Sequence, residues 1–211
     1  MKLTRTANAG VLLELDGVTI LMDGVCREVK PYPATPPGLK AELTGNLPDI
    51  IAFTHAHKDH YDPGFAAAVK QKNRVIFGPS TCHGTMETGK SRGVKITPIP
   101  SRHIGAAGKD TPHASFLVEG SQTVLFTGDA APIQWRQKEL PTIDVLIAPY
   151  AYCNTVPAWE LTKSLGVKTV VLVHMPEENE ETKLYYDPVR ETVGSDSLYI
   201  PLMEETLEIS L

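Results

Sequence analysis

The 211-residue chain is 42% hydrophobic and 21% charged, a globular balance with enough apolar side chain to bury a full core. A net charge of −5 without any basic run gives no support for nucleic acid as a partner, and no stretch nears the ~18 consecutive apolar residues of a membrane span. Cys26, Cys82 and Cys153 are odd in number and widely spaced, which argues against a disulfide framework.

Met1 to Thr6 lacks the apolar run and cleavage site of a signal peptide, so a reducing cytoplasm is the expected location. One domain over residues 1–211 is the expected organisation. Val11–Leu15, the turn Asp16-Gly17 and Val18–Met22 predict a β-hairpin. Pro31, Pro33, Pro36, Pro37 and Pro48 predict a long surface loop or lid rather than a regular element. The apolar run Ile50 to Thr54 predicts a buried strand, and Asp62-Pro63 a capped start to a helix over Phe65 to Gln71. Arg74–Phe77 and Val94–Thr97 read as strands, and Ala114–Val118 with Thr123–Thr127 as a second hairpin. A strand at Val145–Ala148, a helix near Ala158 to Leu165 and a strand at Thr169–Val173 follow. The stretch after Pro176 is acidic and then strand-like.

The chemistry concentrates in Thr54-His55-Ala56-His57-Lys58-Asp59-His60, three histidines and an aspartate in six consecutive positions. Imidazole and carboxylate bind zinc, iron and manganese, and solvated loop histidines rarely reach that density. His55 and His57, two apart at the end of an extended segment, point the same way, whereas Asp59 and His60 turn elsewhere, toward a second ion. His55, Asp129 and His174 each follow an apolar strand, as does Asp23. Alone, an aspartate after glycine is commonly a turn residue; the shared position at strand ends gives Asp129 and His174 their weight.

In order, Asp23, the His55 to His60 run, His103 in Ile99-Pro100-Ser101-Arg102-His103, Gly128-Asp129 and His174 resemble the five motifs of the metallo-β-lactamase-fold hydrolase superfamily, over nearly the whole chain. The resemblance implies an α/β fold, a four-layer αββα sandwich. It implies two divalent ions, zinc first with manganese or iron as alternatives. His55, His57 and His103 would hold one, Asp59, His60 and His174 the other, and Asp129 would bridge them. Asp23 would orient a ligand histidine. His113 competes with His103 for the third motif; His103 is favoured because it follows a strand and a proline, and His113 is left to line the pocket or meet substrate. His83 has no motif partner and is expected to be structural or at the surface. Lys58 and Arg102 could attract an anionic substrate, although surface solvation accounts for both.

Such a pair of ions implies hydrolysis of a small ester, lactone or phosphodiester, and no Gly-x-Ser-x-Gly nucleophile competes with it. Asp129 speaks against a true β-lactamase, and too few residues lie between Asp129 and His174 for the processing nucleases. Ala56 stands where flavodiiron proteins carry glutamate, and the stretch after His174 is short for a thioesterase's helical extension. The chain is most similar to the small single-domain branch that includes L-ascorbate-6-phosphate lactonase-like proteins, on Ala7-Asn8-Ala9-Gly10 and Leu172-Val173-His174-Met175. A mononuclear iron dioxygenase of persulfide type and a non-catalytic metal-binding module stand as alternatives. The expected partner is a small-molecule substrate, with no nucleic acid and no membrane; a homo-oligomer stays open.

Overall fold

The computed structural model describes residues 1–106, 108–194 and 198–210. Two sheets pack face to face with helices outside each, the αββα sandwich that the resemblance implies. In the first sheet, β1 (Lys2–Arg5), β2 (Val11–Leu15), β3 (Val18–Met22), β4 (Ile50–Ala52) and β5 (Ile76–Phe77) lie in that order, with β13 (Thr206–Glu208) outside β1. The second sheet runs β12 (Leu198–Tyr199), β11 (Thr169–Val173), β10 (Val145–Pro149), β9 (Thr123–Phe126), β8 (Ala114–Glu119), β7 (Val94–Pro100) and β6 (Gly89–Ser91).

Strand side chains alternate faces, and here both faces are covered, which is why the central strands are apolar throughout. Val18, Ile20 and Met22 of β3 face the other sheet, joining Val145 and Ile147 of β10 and Val171 and Val173 of β11 in the central core. The alternate residues face outward. Leu21 and Ile51 pack under α1 (Pro37–Gly45) and α2 (Pro63–Gln71), while Leu146 and Leu172 pack under the layer that holds α4 (Lys183–Val193). Burying each such side chain contributes about 1.5–3 kcal/mol. None of the helices among the described residues is long and apolar enough to cross a membrane.

Three expectations need correction, and one expected helix is found two residues earlier. The proline-rich stretch is not wholly irregular, because Pro37 starts α1, and the first helical turn is where the missing N–H costs nothing. Only Ile76–Phe77 of the expected Arg74–Phe77 strand pairs, against β4; Val75 is 58% exposed. The helix placed near Ala158 to Leu165 is α3, Val156–Lys163, opened by the Thr155 cap. The acidic stretch after Pro176 contains α4, which tolerates Pro188 and buries Tyr186 and Val189.

Directionality sets the site. β3 and β4 are parallel, as are β9, β10 and β11, and β7 runs with β9 because both are antiparallel to β8. The chain therefore leaves β3, β4, β7, β9 and β11 at carboxyl ends, where open α/β sheets bind ligands.

Candidate metal centre

Each strand delivers its residue within a few positions of its end. Asp23 follows β3, Thr54 and His55 follow β4, His103 follows β7, Asp129 follows β9 and His174 follows β11. The run from His55 to His60 forms the short link between β4 and α2. His60 N and Tyr61 N both donate to the His57 carbonyl, at 3.0 and 2.9 Å. Asp62 then caps α2, accepting from Phe65 N at 2.8 Å and from Lys40 Nζ at 2.6 Å. Such a cap contributes about 1 kcal/mol and fixes where the histidine-bearing turn must end.

The turns are tight. Asp23 and His174 both have left-handed backbones, φ 47° and 58°, a strain of about 1–3 kcal/mol per non-glycine residue. Asp23 N is held by the Ala52 carbonyl at 3.0 Å and His174 N by that of Asn8 at 2.9 Å. Gly128, at φ 51°, lies so close to Thr54 that a Cβ would come within 2.5 Å of its side chain. Only glycine lets Asp129 approach the histidine turn there. A bridge between His103 and Ala130, with Ile104 N donating to Asp129 O at 2.7 Å, joins the third and fourth segments.

The donors converge. His55, His57 and His103 offer nitrogens within 4.8 Å of one another, and a carboxylate oxygen of Asp59 with nitrogens of His60 and His174 forms a second such group. Asp129 stands between the groups: its Oδ2 is 3.6 Å from His103 Nε2, 3.4 Å from His60 Nε2 and 3.5 Å from His174 Nε2. Asp59 Oδ2 is 3.2 Å from His174 Nε2. A third grouping, Asp23 with His55 and His60, is different in kind. Both Asp23 oxygens already accept from N–H and O–H donors: Thr54 N at 2.7 Å, Thr54 Oγ1 at 2.6 Å and His60 Nδ1 at 2.8 Å.

These bonds fix the tautomers. His60 Nδ1 donates to Asp23, so Nε2 is the nitrogen that faces inward. The Thr54 hydroxyl gives its proton to Asp23 and can only accept from His55 Nδ1, 2.9 Å away, again leaving Nε2 inward. His103 Nδ1 donates to the Ile104 carbonyl at 2.7 Å. The result is that His55 Nε2, His60 Nε2, His103 Nε2 and Asp129 Oδ1 are buried with no protein hydrogen-bond partner. A cluster of orphaned acceptors is costly unless something cationic satisfies it, and cations of the zinc class bind this donor set. The residues fit the ions that the family implies.

The electrostatics agree. Burial would raise the Asp129 pKa, but His174, His60 and His55 outweigh it and hold the carboxyl well below its usual range. Burial opposes the shift at Asp59 too, where the neighbouring His174 and His60 keep the carboxylate ionised. Burial, then the nearby His60, pushes His55 well below the usual histidine value, so its ring is a neutral donor. His60 is drawn the other way against burial, by Asp129 and Asp23, and a cation arriving there takes the place of a proton.

The structure brings all seven candidate ligands and Asp23 together. His57 is exposed, so the centre reaches solvent there; Lys58 and Arg102 are exposed as well. His83 is exposed and belongs to none of the donor clusters among the described residues. His113 is buried beside the centre, its ring 5.0 Å from that of His55, and burial pushes its pKa down to about 3. Sequence reasoning missed the supports. Asn8 is fully buried, with its amide 3.5 Å from Asp59 Oδ2. The buried Arg5 guanidinium donates to the Ala7, Asn8, Met175 and Pro201 carbonyls, tying the N-terminal loop to the turn after His174. Tyr32 packs edge-on against His174, centroids 4.3 Å apart. Asn8 falls within a stretch whose likeness to one branch was noted; Arg5 and Tyr32 carry no sequence signal.

Residues 2–174 match the family described as the β-lactamase superfamily domain, and the chain belongs to that family. Its fold is similar to that of a possible metal-dependent hydrolase from Veillonella parvula (15% identity, TM-score 0.74, 99% of each chain covered). It is also similar to an isothiocyanate hydrolase from Delia radicum gut bacteria (19% identity, TM-score 0.71, 100% of each chain). A third similar structure is Igni18, a metallo hydrolase of the archaeon Ignicoccus hospitalis (21% identity, TM-score 0.64, 99% of each chain). No curated protein matches the chain.

Proposed function

We propose that the protein is a binuclear metal-dependent hydrolase acting on a small ester, lactone or phosphodiester. The observation that carries this reading is the set of inward, unpartnered donors, His55 Nε2, His60 Nε2, His103 Nε2 and Asp129 Oδ1, gathered beyond the carboxyl ends of β4, β7 and β9. His55, His57 and His103 hold one ion and Asp59, His60 and His174 the other, with Asp129 between them. Zinc suits the nitrogen-rich set, with manganese and iron as alternatives. When bound, two such ions supply Lewis acidity and a nucleophile drawn from water at neutral pH.

The chain's own residues do the rest. Asp23 holds His60 directly and His55 through Thr54, so that both rings keep Nε2 free. Asp59 and Asp129 stay ionised and offset cationic charge. The exposed side at His57 admits substrate, and the exposed Lys58 next to it in the chain favours an anionic one. The names of similar structures, one a metallo hydrolase and another an isothiocyanate hydrolase, support hydrolysis as the reaction class.

The test combines elemental analysis with a substrate panel. Two ions per chain and turnover of a lactone, thioester or phosphodiester without oxygen consumption are expected. One ion per chain that stays at one on titration would sink the binuclear reading; stoichiometric oxygen uptake with a persulfide would sink hydrolysis.

A further inference from the structure

The histidine that competed for the third motif makes hydrogen bonds with a direction. A backbone N–H can only donate, and that of Asp129 points at His113 Nε2, 3.1 Å away. Nε2 is therefore an acceptor, and the proton of the neutral ring sits on Nδ1, which donates to Ser101 Oγ at 2.7 Å. Ser115 Oγ gives its proton to the Thr127 carbonyl at 2.7 Å, so it accepts from Ser101 Oγ at 3.0 Å. The four bonds form a loop that starts at the Asp129 amide and returns to the carbonyl two residues earlier. It encloses the Thr127-Gly128-Asp129 turn, whose middle residue is left-handed.

We infer that His113 is a positioning residue: as a buried acceptor for the Asp129 amide, it sets where that carboxylate stands between the two groups of candidate ligands. The inference rests on the reading of Asp129 as the shared ligand. Both nitrogens of His113 are already engaged, so the ring is not itself a ligand. Nor is the loop a proton relay, since it ends on a carbonyl with no proton to pass on. A role limited to filling space is set against two specific bonds, one from each nitrogen, on a side chain only 6% exposed.

Two variants separate the bonds. In His113→Gln the amide oxygen can reach the place of Nε2 and accept from Asp129, whereas in His113→Asn the shorter amide reaches only the place of Nδ1 and meets Ser101. Chelator competition, with zinc as the probe, should show His113→Asn losing roughly 10-fold or more in affinity for one ion, with kcat falling and KM nearly unchanged. His113→Gln should retain most of both. Nitrogen-15 spectra of the metal-free protein give an independent readout, expected to report His113 protonated on Nδ1 alone. Equal losses in the two variants, no loss in either, or a proton on Nε2 would each overturn the inference. A wild-type protein that takes up a single ion would instead overturn the binuclear reading, and the spectra and the Asn–Gln contrast would still decide the role of His113.

Discussion

Asp23 gives the sharpest test of how the centre is held. It is fully buried, and its two oxygens receive three hydrogen bonds, from Thr54 N, Thr54 Oγ1 and His60 Nδ1. Asp23→Ala leaves the His60 Nδ1–H without its partner and frees the Thr54 hydroxyl to turn away from His55. Removing one member of a buried, hydrogen-bonded charged cluster costs about 3–5 kcal/mol of stability. Loss of a partner that orients a ligand histidine weakens metal binding about 10–100-fold, or about 1.4–2.7 kcal/mol. Because Asp23 reaches His60 and, through Thr54, His55, both ions should weaken, each by an amount in that range. Thr54→Val should weaken mainly the ion at His55, and the double variant should fall short of the sum because the two residues share one bond. Chelator competition resolves the two affinities and urea unfolding reads the stability. If Asp23→Ala bound both ions within about 2-fold of the wild type, the account of fixed tautomers would be wrong.

Asp129→Ala should keep the fold, since its carboxylate lies at a strand end outside the apolar clusters, yet lose one ion and at least about 100-fold in turnover; circular dichroism, metal content and rate check the three together. The thiols of Cys82 and Cys153, buried and pushed up to about 12, and the buried Cys26 thiol should resist alkylation at neutral pH in the native protein and react fully in denaturant. Rapid labelling of any one of them in the native state would contradict this burial. Asp49 accepts from Thr19 N and Oγ1 and pairs with Arg92, and these bonds hold its pKa below the usual value. Its contribution to stability is therefore full above about pH 3.9, the unfolded value, and is lost as pH falls through the lower folded value. Asp49→Asn should flatten that acid limb of a pH–stability curve and leave the curve's shape above pH 5 unchanged.

What was legible in the sequence follows from what each element asks of its residues. The hairpin of β2 and β3, the buried β9, β10 and β11, and the Asp62 cap appeared where expected, because strands covered on both faces need unbroken apolar runs and a cap needs an acceptor before the first turn. The helices α1 and α4 were hidden by proline. Pro37 sits at a helix start, where it is harmless, and Pro188 lies inside α4, where it gives up the bond to the Leu184 carbonyl while Tyr186 and Val189 of the same helix stay buried. Neither exception shows until the surroundings are known.

The centre divides in the same way. An ion demands nitrogen and oxygen donors of particular types, so His55, His57, Asp59, His60, His103, Asp129 and His174 stand out in the chain before any fold is assumed. Their supports need only a donor or an acceptor at one place. Thr54, Ser101, Ser115, Arg5 and the backbone carbonyls of Ile104 and Asn8 supply these, and such groups are common everywhere. Arg5 reaches Met175 across 170 residues of sequence, and Asp23 reaches Thr54 across 31. Residue type therefore announces the candidate ligands, but only tertiary geometry announces what aims them. His113 belongs to both categories by type and to the second by geometry, which is why the sequence alone left it competing with His103 and two hydrogen bonds are enough to separate them.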